Sequence, residues 1–138
     1  MSARQGYTKA LLAEGHDPAL NSLDQARRIA ALAQDKLAED VVILDMRPVC
    51  TFTDYFVIAT GRNARQTVAI WDEVHERMKQ EHRLLPRAAD GKQEGSWILG
   101  DYLDVVLHVF TPEARGFYNL EDLWSDVPEV ELETLAAG

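Results

Sequence analysis

No stretch of this chain restricts its fold more than Trp97-Ile98-Leu99-Gly100-Asp101-Tyr102-Leu103-Asp104-Val105-Val106-Leu107-His108-Val109-Phe110. From Val105 to Phe110 the run is apolar apart from one histidine. It has no polar side to turn toward water and reads as a strand buried on both faces. Gly100 to Asp104 is turn material, and Ser96 to Leu99 before it makes one short strand. The two strands therefore pair as a hairpin. By alternation Trp97, Leu99 and Asp101 face one way, and Ser96, Ile98 and Gly100 the other. If Ile98 serves the core, Trp97 and Leu99 lie on or near the surface beside an acid, a composition suited to an interface hot spot. The competing reading has Trp97 covering the core beneath a helix.

The rest of the chain supplies partners for that hairpin. Ser22 and Gln25 are spaced as a capping box, and Leu23, Ala26, Ile29 or Ala30, Ala33 and Leu37 recur at helical spacing to about Ala38. Val41 to Met46, broken only by Asp45 and ended by Pro48, reads as a buried strand. Tyr55 to Thr60, closed by Gly61, is a second of the same kind. A helix from Ala64 to about Glu81 follows, capped by Asn63 and Gln66, with Val68, Trp71, Val74 and Met78 as its apolar stripe. Glu73 and Arg77 sit four apart on its outer face. Leu84 to Ala88 reads as a short edge strand, the one sheet position that tolerates Pro86, and Asp90 to Gly95 as a loop. Thr111-Pro112-Glu113 opens a short helix, and Leu120 to Trp124 forms a last turn or two.

This order predicts an α/β (α+β) single domain, a mixed β-sheet of about five strands flanked by helices. Residues 1–21 are expected to be an N-terminal extension, 22–127 the domain, and 128–138 an acidic tail with too few apolar residues to pack firmly. Periodicity does not give the order in which the strands pair.

At 138 residues the chain suits one domain with a core of its own. Cys50 is the single cysteine, which excludes an internal disulfide and makes a reducing compartment the default. There is no bilayer-length apolar run and no signal-peptide pattern at the start, so a cytoplasmic protein is expected, with no membrane partner. The net charge of -9 is unevenly placed. Six of the 23 acids, Glu121, Asp122, Asp126, Glu129, Glu131 and Glu133, follow Asn119 with no base among them; the other 17 face all 14 bases. Such a balance disfavours phosphate backbones, whose affinity comes from Lys and Arg displacing counterions. It favours a basic protein partner over RNA or DNA.

Several constellations could carry chemistry. Two divalent ions of the nucleotidyltransferase kind need converging carboxylates. Asp101, Asp104 and Asp45 are the candidates, but Val106 and His108 occupy the alternating positions after Asp104, where a second acid is required. Turn-forming aspartates are the simpler account. Thr60 to Arg65 joins a strand to a helix N-terminus, where an anion can bind, yet Asn63 and Gln66 already explain the segment as a cap. Asp72, His75 and His82 share a helix edge without a zinc-binding order, and read as a solvated face. His108 reads as a hydrogen-bonded structural histidine, and Cys50 has no base nearby in sequence. No catalytic, metal or cofactor site is assigned.

Two further blocks accompany the hairpin: Thr53-Asp54-Tyr55-Phe56-Val57-Ile58-Ala59-Thr60-Gly61 followed by Arg65-Gln66, and Phe117-Tyr118-Asn119-Leu120-Glu121-Asp122-Leu123-Trp124. In this order and spacing, from about Ser22 to Val130, the three blocks resemble the ribosomal silencing factor (Iojap) family. The resemblance implies a nucleotidyltransferase-like fold and a non-enzymatic translation repressor without cofactors. It implies docking on the large ribosomal subunit through ribosomal protein uL-fourteen, with little direct rRNA contact, so that the small subunit cannot join. Action late in large-subunit assembly is a related role, and a homodimer is implied for the free protein. Carried over by position, the ribosome-binding residues are Trp97 and Asp101, with Leu99 and Tyr102 as neighbours. Two other readings stand beside it: a metal-dependent nucleotidyltransferase or phosphohydrolase, and a generic homodimeric interaction module.

Overall fold

A computed structural model describes residues 20–132 of the protein. In chain order its elements are α1 (Ser22–Asp35), β1 (Glu39–Asp45), β2 (Tyr55–Thr60), α2 (Ala64–His82), β3 (Ala88–Asp90), β4 (Trp97–Asp101), β5 (Val105–Phe110), α3 (Pro112–Tyr118), α4 (Leu120–Leu123) and β6 (Glu129–Val130). The six strands form one mixed sheet in the order β3-β4-β5-β2-β1-β6. β2 and β5 pair in parallel, Tyr55 opposite Val105 through Thr60 opposite Phe110, and the other pairs are antiparallel. These two strands are the apolar runs of the sequence, and every residue of both is buried. Central position in the sheet is the physical reason they lack a polar side.

The two faces of the sheet are covered unequally. Tyr55, Val57 and Ala59 of β2, Val105, Leu107 and Val109 of β5, and Ile98 of β4 point to the side where α1 and α2 lie. Those helices are 14 and 19 residues long and bury Ile29, Leu32, Ile70, Trp71, Val74 and Met78 against the strands. Phe56, Ile58, Val106 and Phe110 point the other way, where Met46, Ala114, Val127 and the half-buried Trp124 pack. Here the helices, α3 and α4, have only 7 and 4 residues. An amphipathic helix covers about 1.5 Å of sheet per residue of its length, so this second face is left partly open.

The elements differ from the sequence expectation at several ends. β4 starts at Trp97 rather than Ser96 and runs on through the expected turn residues Gly100 and Asp101, because both pair with β3 and β5. The α1 cap is Asn21, whose side chain accepts from the Asp24 N–H at 2.8 Å, and not Ser22. The helix ends at Asp35; Leu37 has φ 65° and is 66% exposed, so it is not part of the apolar stripe. The edge strand is Ala88–Asp90, not Leu84 to Ala88. Arg83 takes a left-handed conformation (φ 55°) and the Leu84 N–H bonds back to the Met78 carbonyl, so Leu84 closes α2 and is buried in the core. Pairing to β4 begins only past Pro86, with the Arg87 N–H donating to the Asp101 carbonyl.

Of the expected acidic tail, residues 133–138 lie outside the described residues, while residues 129–132 pack more firmly than their acidity suggests. Glu129 and Val130 pair with Leu44 and Ile43, the Asp45 N–H donates to the Pro128 carbonyl, and Val130 and Leu132 rest on the core. The expected N-terminal extension lies outside the described residues except for its last two positions.

A candidate docking surface on the open face of the sheet

Strand β4 alternates as its sequence predicts. Ile98 and Gly100 are buried toward the long helices, while Trp97, Leu99 and Asp101 are only half-buried on the opposite side. Antiparallel pairing sets Trp97 opposite Phe110, Leu99 opposite His108 and Asp101 opposite Val106. The Trp97 indole lies in an aromatic group, with ring centroids 5.0 Å from Phe110, 4.6 Å from Tyr118 and 6.0 Å from His108. Its Nε1–H donates to Nδ1 of His108 at 3.2 Å. The indole is therefore half open to solvent but fixed in orientation.

His108 is the hydrogen-bonded histidine expected from its strand. It is buried, and burial pushes its pKa down to about 4. It is neutral, and because Nδ1 accepts from Trp97 its proton sits on Nε2. Among the described residues Nε2 has no hydrogen-bond partner.

Asp101 has a structural role as well as a place on the surface. Its Oδ1 accepts from the Leu103 N–H at 2.8 Å, holding the turn in which Leu103 takes φ 77°, and its Oδ2 meets Nε of Arg87 at 3.1 Å. Tyr102 does not join this group. It is 3% exposed and lies in the core beneath α2, its ring centroid 6.2 Å from Trp71. Burial raises its pKa, and its hydroxyl has no hydrogen-bond partner among the described residues. The period of two explains this: Tyr102 has the parity of Ile98 and Gly100 and so follows them inward. The structure thus brings Trp97, Leu99 and Asp101 together and separates Tyr102 from them.

Two participants escape a reading of β4 alone. Tyr118 and Phe117, on α3, extend the aromatic group: Tyr118 meets Trp97, and Phe117 meets Tyr118 edge-on at 5.0 Å. Both residues belong to the distinctive Phe117–Trp124 block, but only the turn at Thr111, which caps α3 by accepting from the Ala114 N–H, brings them back over β4.

The other candidate groups are occupied by local structure. Both oxygens of Asp45 are held by Arg47 at 2.9 and 2.8 Å, and that pairing keeps its pKa below the ordinary carboxylate value. Among the described residues no group of three or more His, Cys, Asp or Glu could hold a metal ion. At the start of α2, Asn63 accepts from the Gln66 N–H, and the Gln66 side chain accepts from the Arg62 N–H. His75 stacks on Trp71 with centroids 5.2 Å apart, and Cys50 is half-buried against the second core. Among the described residues no helix is long and apolar enough to cross a membrane.

A family model described as "Ribosomal silencing factor during starvation" matches residues 19–138. The chain belongs to the ribosomal silencing factor family. A relative from Halalkalibacterium halodurans, named ribosomal silencing factor RsfS, is 41% identical over 99 residues, 72% of this chain and 84% of that protein. The RsfS of Bacillus subtilis is 39% identical over 104 residues, 75% of this chain and 87% of its own. The chloroplastic protein Iojap of Arabidopsis thaliana is 35% identical over 94% of this chain, though over only 53% of its own length. Among solved structures, a Chromobacterium violaceum protein superposes with a TM-score of 0.73 at 25% identity, covering 86% of this chain and 94% of that one. A Bacillus halodurans protein does so at 0.66 and 37% identity, covering 79% and 95%. All three blocks of the sequence lie within the matched residues 19–138.

Proposed function

We propose that this protein represses translation by docking on the large ribosomal subunit, through ribosomal protein uL-fourteen, and excluding the small subunit. The observation that carries the proposal is the Trp97 indole. In a member of this family, it stands half-exposed on the incompletely covered sheet face, held by His108 and flanked by Leu99 and Asp101. A rigid, amphipathic aromatic beside an aliphatic side chain and an acid is the composition of a hot spot for a basic protein surface. The action is steric: a folded domain occupies the joining face, with no bond made or broken, no cofactor and no catalytic residue. The work is done in the cytoplasm, and a homodimer of the free protein belongs to the same reading.

Co-sedimentation with purified large subunits tests the proposal. The full chain should travel with large subunits, reduce the yield of joined ribosomes when small subunits are added, and bind deproteinised rRNA weakly. Association should slow as salt rises, because screening removes the steering charge. Trp97→Ala should weaken binding by about 2 kcal/mol or more, roughly thirtyfold. Asp101→Asn keeps the acceptor for Leu103 while removing the charge, and should weaken binding less. Unimpaired blocking of subunit joining by a folded Trp97→Ala variant would overturn the assignment.

A further inference from the structure

Helix α3 carries two residues that the fold itself does not require. Phe117 is 81% exposed, the most exposed of the large apolar side chains among the described residues. Beside it, Gly116 sits inside the helix, where a glycine weakens the structure relative to alanine. Yet among the described residues a Cβ built on Gly116 meets nothing within 4 Å, so none of them demands its absence. An exposed aromatic and an unneeded bare backbone, adjacent on one helix, are both accounted for if something outside the molecule packs closely there.

The position and charge of the helix indicate what does so. The rings of Phe117, Tyr118 and Trp97 follow one another at 5.0 and 4.6 Å, so the α3 surface is continuous with the β4 surface. Glu113, one turn before Phe117, is exposed, and so is Asp122 on α4. The single base of α3, Arg115, is turned inward, with Nε and Nη2 on Glu121 at 3.0 and 2.7 Å and Nη1 on Thr60 Oγ1 at 2.7 Å. The exposed charge of this ledge is therefore negative.

We infer that the docking surface extends from Trp97 across Tyr118 onto α3, with Phe117 as a second anchor and Gly116 as the point of closest approach for the same basic protein partner. This rests on the docking role proposed for Trp97. It adds to that role a second contact that the β4 residues do not include. An aromatic side chain entering an apolar pocket, ringed by carboxylates facing Lys or Arg, gives both affinity and orientation.

Phe117→Ala and Gly116→Gln separate this inference from the reading beneath it, since neither change touches the core. Each variant, with Trp97→Ala alongside, is titrated against purified large subunits, and its melting temperature and solution mass are recorded. The expected result is binding weakened on the order of tenfold for both α3 variants. The melting temperature should be unchanged for Phe117→Ala and slightly raised for Gly116→Gln. If Trp97→Ala loses binding while both α3 variants bind like the native protein, the extension is wrong and the Trp97 site stands. If Trp97→Ala binds normally, both fall. If Phe117→Ala only converts a dimer to a monomer, leaving subunit binding intact, the ledge belongs to a second copy of the chain and the inference is overturned.

Discussion

Trp71 of α2 lies so close over Gly100 of β4 that a Cβ on the glycine would stand 2.3 Å from the tryptophan Cζ3 and 2.7 Å from Cη2. The long helix therefore seats its largest side chain directly on the back of the strand whose front carries Trp97 and Leu99. Gly100→Ala forces the indole, itself stacked on His75, out of its place. Overpacking of this kind costs about 1–3 kcal/mol. A thermal melt of Gly100→Ala should show a clear drop in midpoint, and an unchanged midpoint would mean that Trp71 yields freely. The larger consequence concerns the front face: a strand displaced by Trp71 carries Trp97 with it, so binding to large subunits should weaken as well.

Tyr102 illustrates the difference between a surface residue and a buried one. Its hydroxyl is buried without a hydrogen-bond partner among the described residues. Removing an unsatisfied buried hydroxyl relieves its desolvation cost, which lies in the range of about 1–3 kcal/mol. Tyr102→Phe should therefore be at least as stable as the native protein by denaturant titration. It should also bind large subunits normally, since Tyr102 lies on the far side of the sheet from Trp97. Weakened binding at unchanged stability would return Tyr102 to the docking surface.

How far the sequence was legible depended on whether side-chain periodicity or backbone pairing decided the outcome. The six-residue apolar runs of β2 and β5 had a single solution, burial on both faces, and their limits at Tyr55–Thr60 and Val105–Phe110 match the sequence expectation. The alternation of β4 was equally clear, and it already excluded Tyr102 from the Trp97 face, which carrying that residue along as a mere neighbour overlooked. The β3 limits were not legible, because Leu84 is drawn into the core as the closing residue of α2, an outcome of cap geometry. Nor was the Trp97–His108 bond, which joins residues 11 apart that are neither consecutive nor directly opposite on their strands.

Strand β6 was missed for the same reason, and it yields a prediction. Two residues, one of them an acid, show no period, but their backbone completes the open edge of β1, and Val130 and Leu132 cover part of the α1 side of the core. Ending the chain after Val127 removes these contacts and exposes the β1 edge. The shortened protein should melt at a lower temperature and aggregate more readily at high concentration, since an uncovered edge is a template for pairing. Val130→Asp keeps the backbone bonds while placing a charge against the core, and should reproduce the loss of stability without the aggregation. Full-length stability in the shortened chain would show that β6 contributes nothing.

His108 makes the stability of the fold depend on pH, and the sign follows from its burial. In the unfolded chain a histidine takes up a proton near pH 6.5, whereas in the folded protein it does so only near pH 4. Between those values the unfolded state binds the extra proton, so stability is full above about pH 6.5 and declines as the pH falls toward 4. At 1.36 kcal/mol for each pH unit, the loss from pH 7 to pH 5 is roughly 2 kcal/mol. Asp45 and Glu81, whose pKa values are held down mainly by hydrogen bonds from arginines, lose their contribution only at more acid pH. The comparison of pH 7 with pH 5 therefore isolates the histidine. His108→Phe should be stable to within a few tenths of a kcal/mol across that interval, because a ring that takes up no proton has no titration to contribute. It also removes the acceptor for the Trp97 indole, so the Nε1–H resonance of Trp97 should move and large-subunit binding weaken by about 1 kcal/mol, the worth of a neutral hydrogen bond. Equal stability of the native protein at pH 7 and pH 5 would show that His108 is not held neutral by burial.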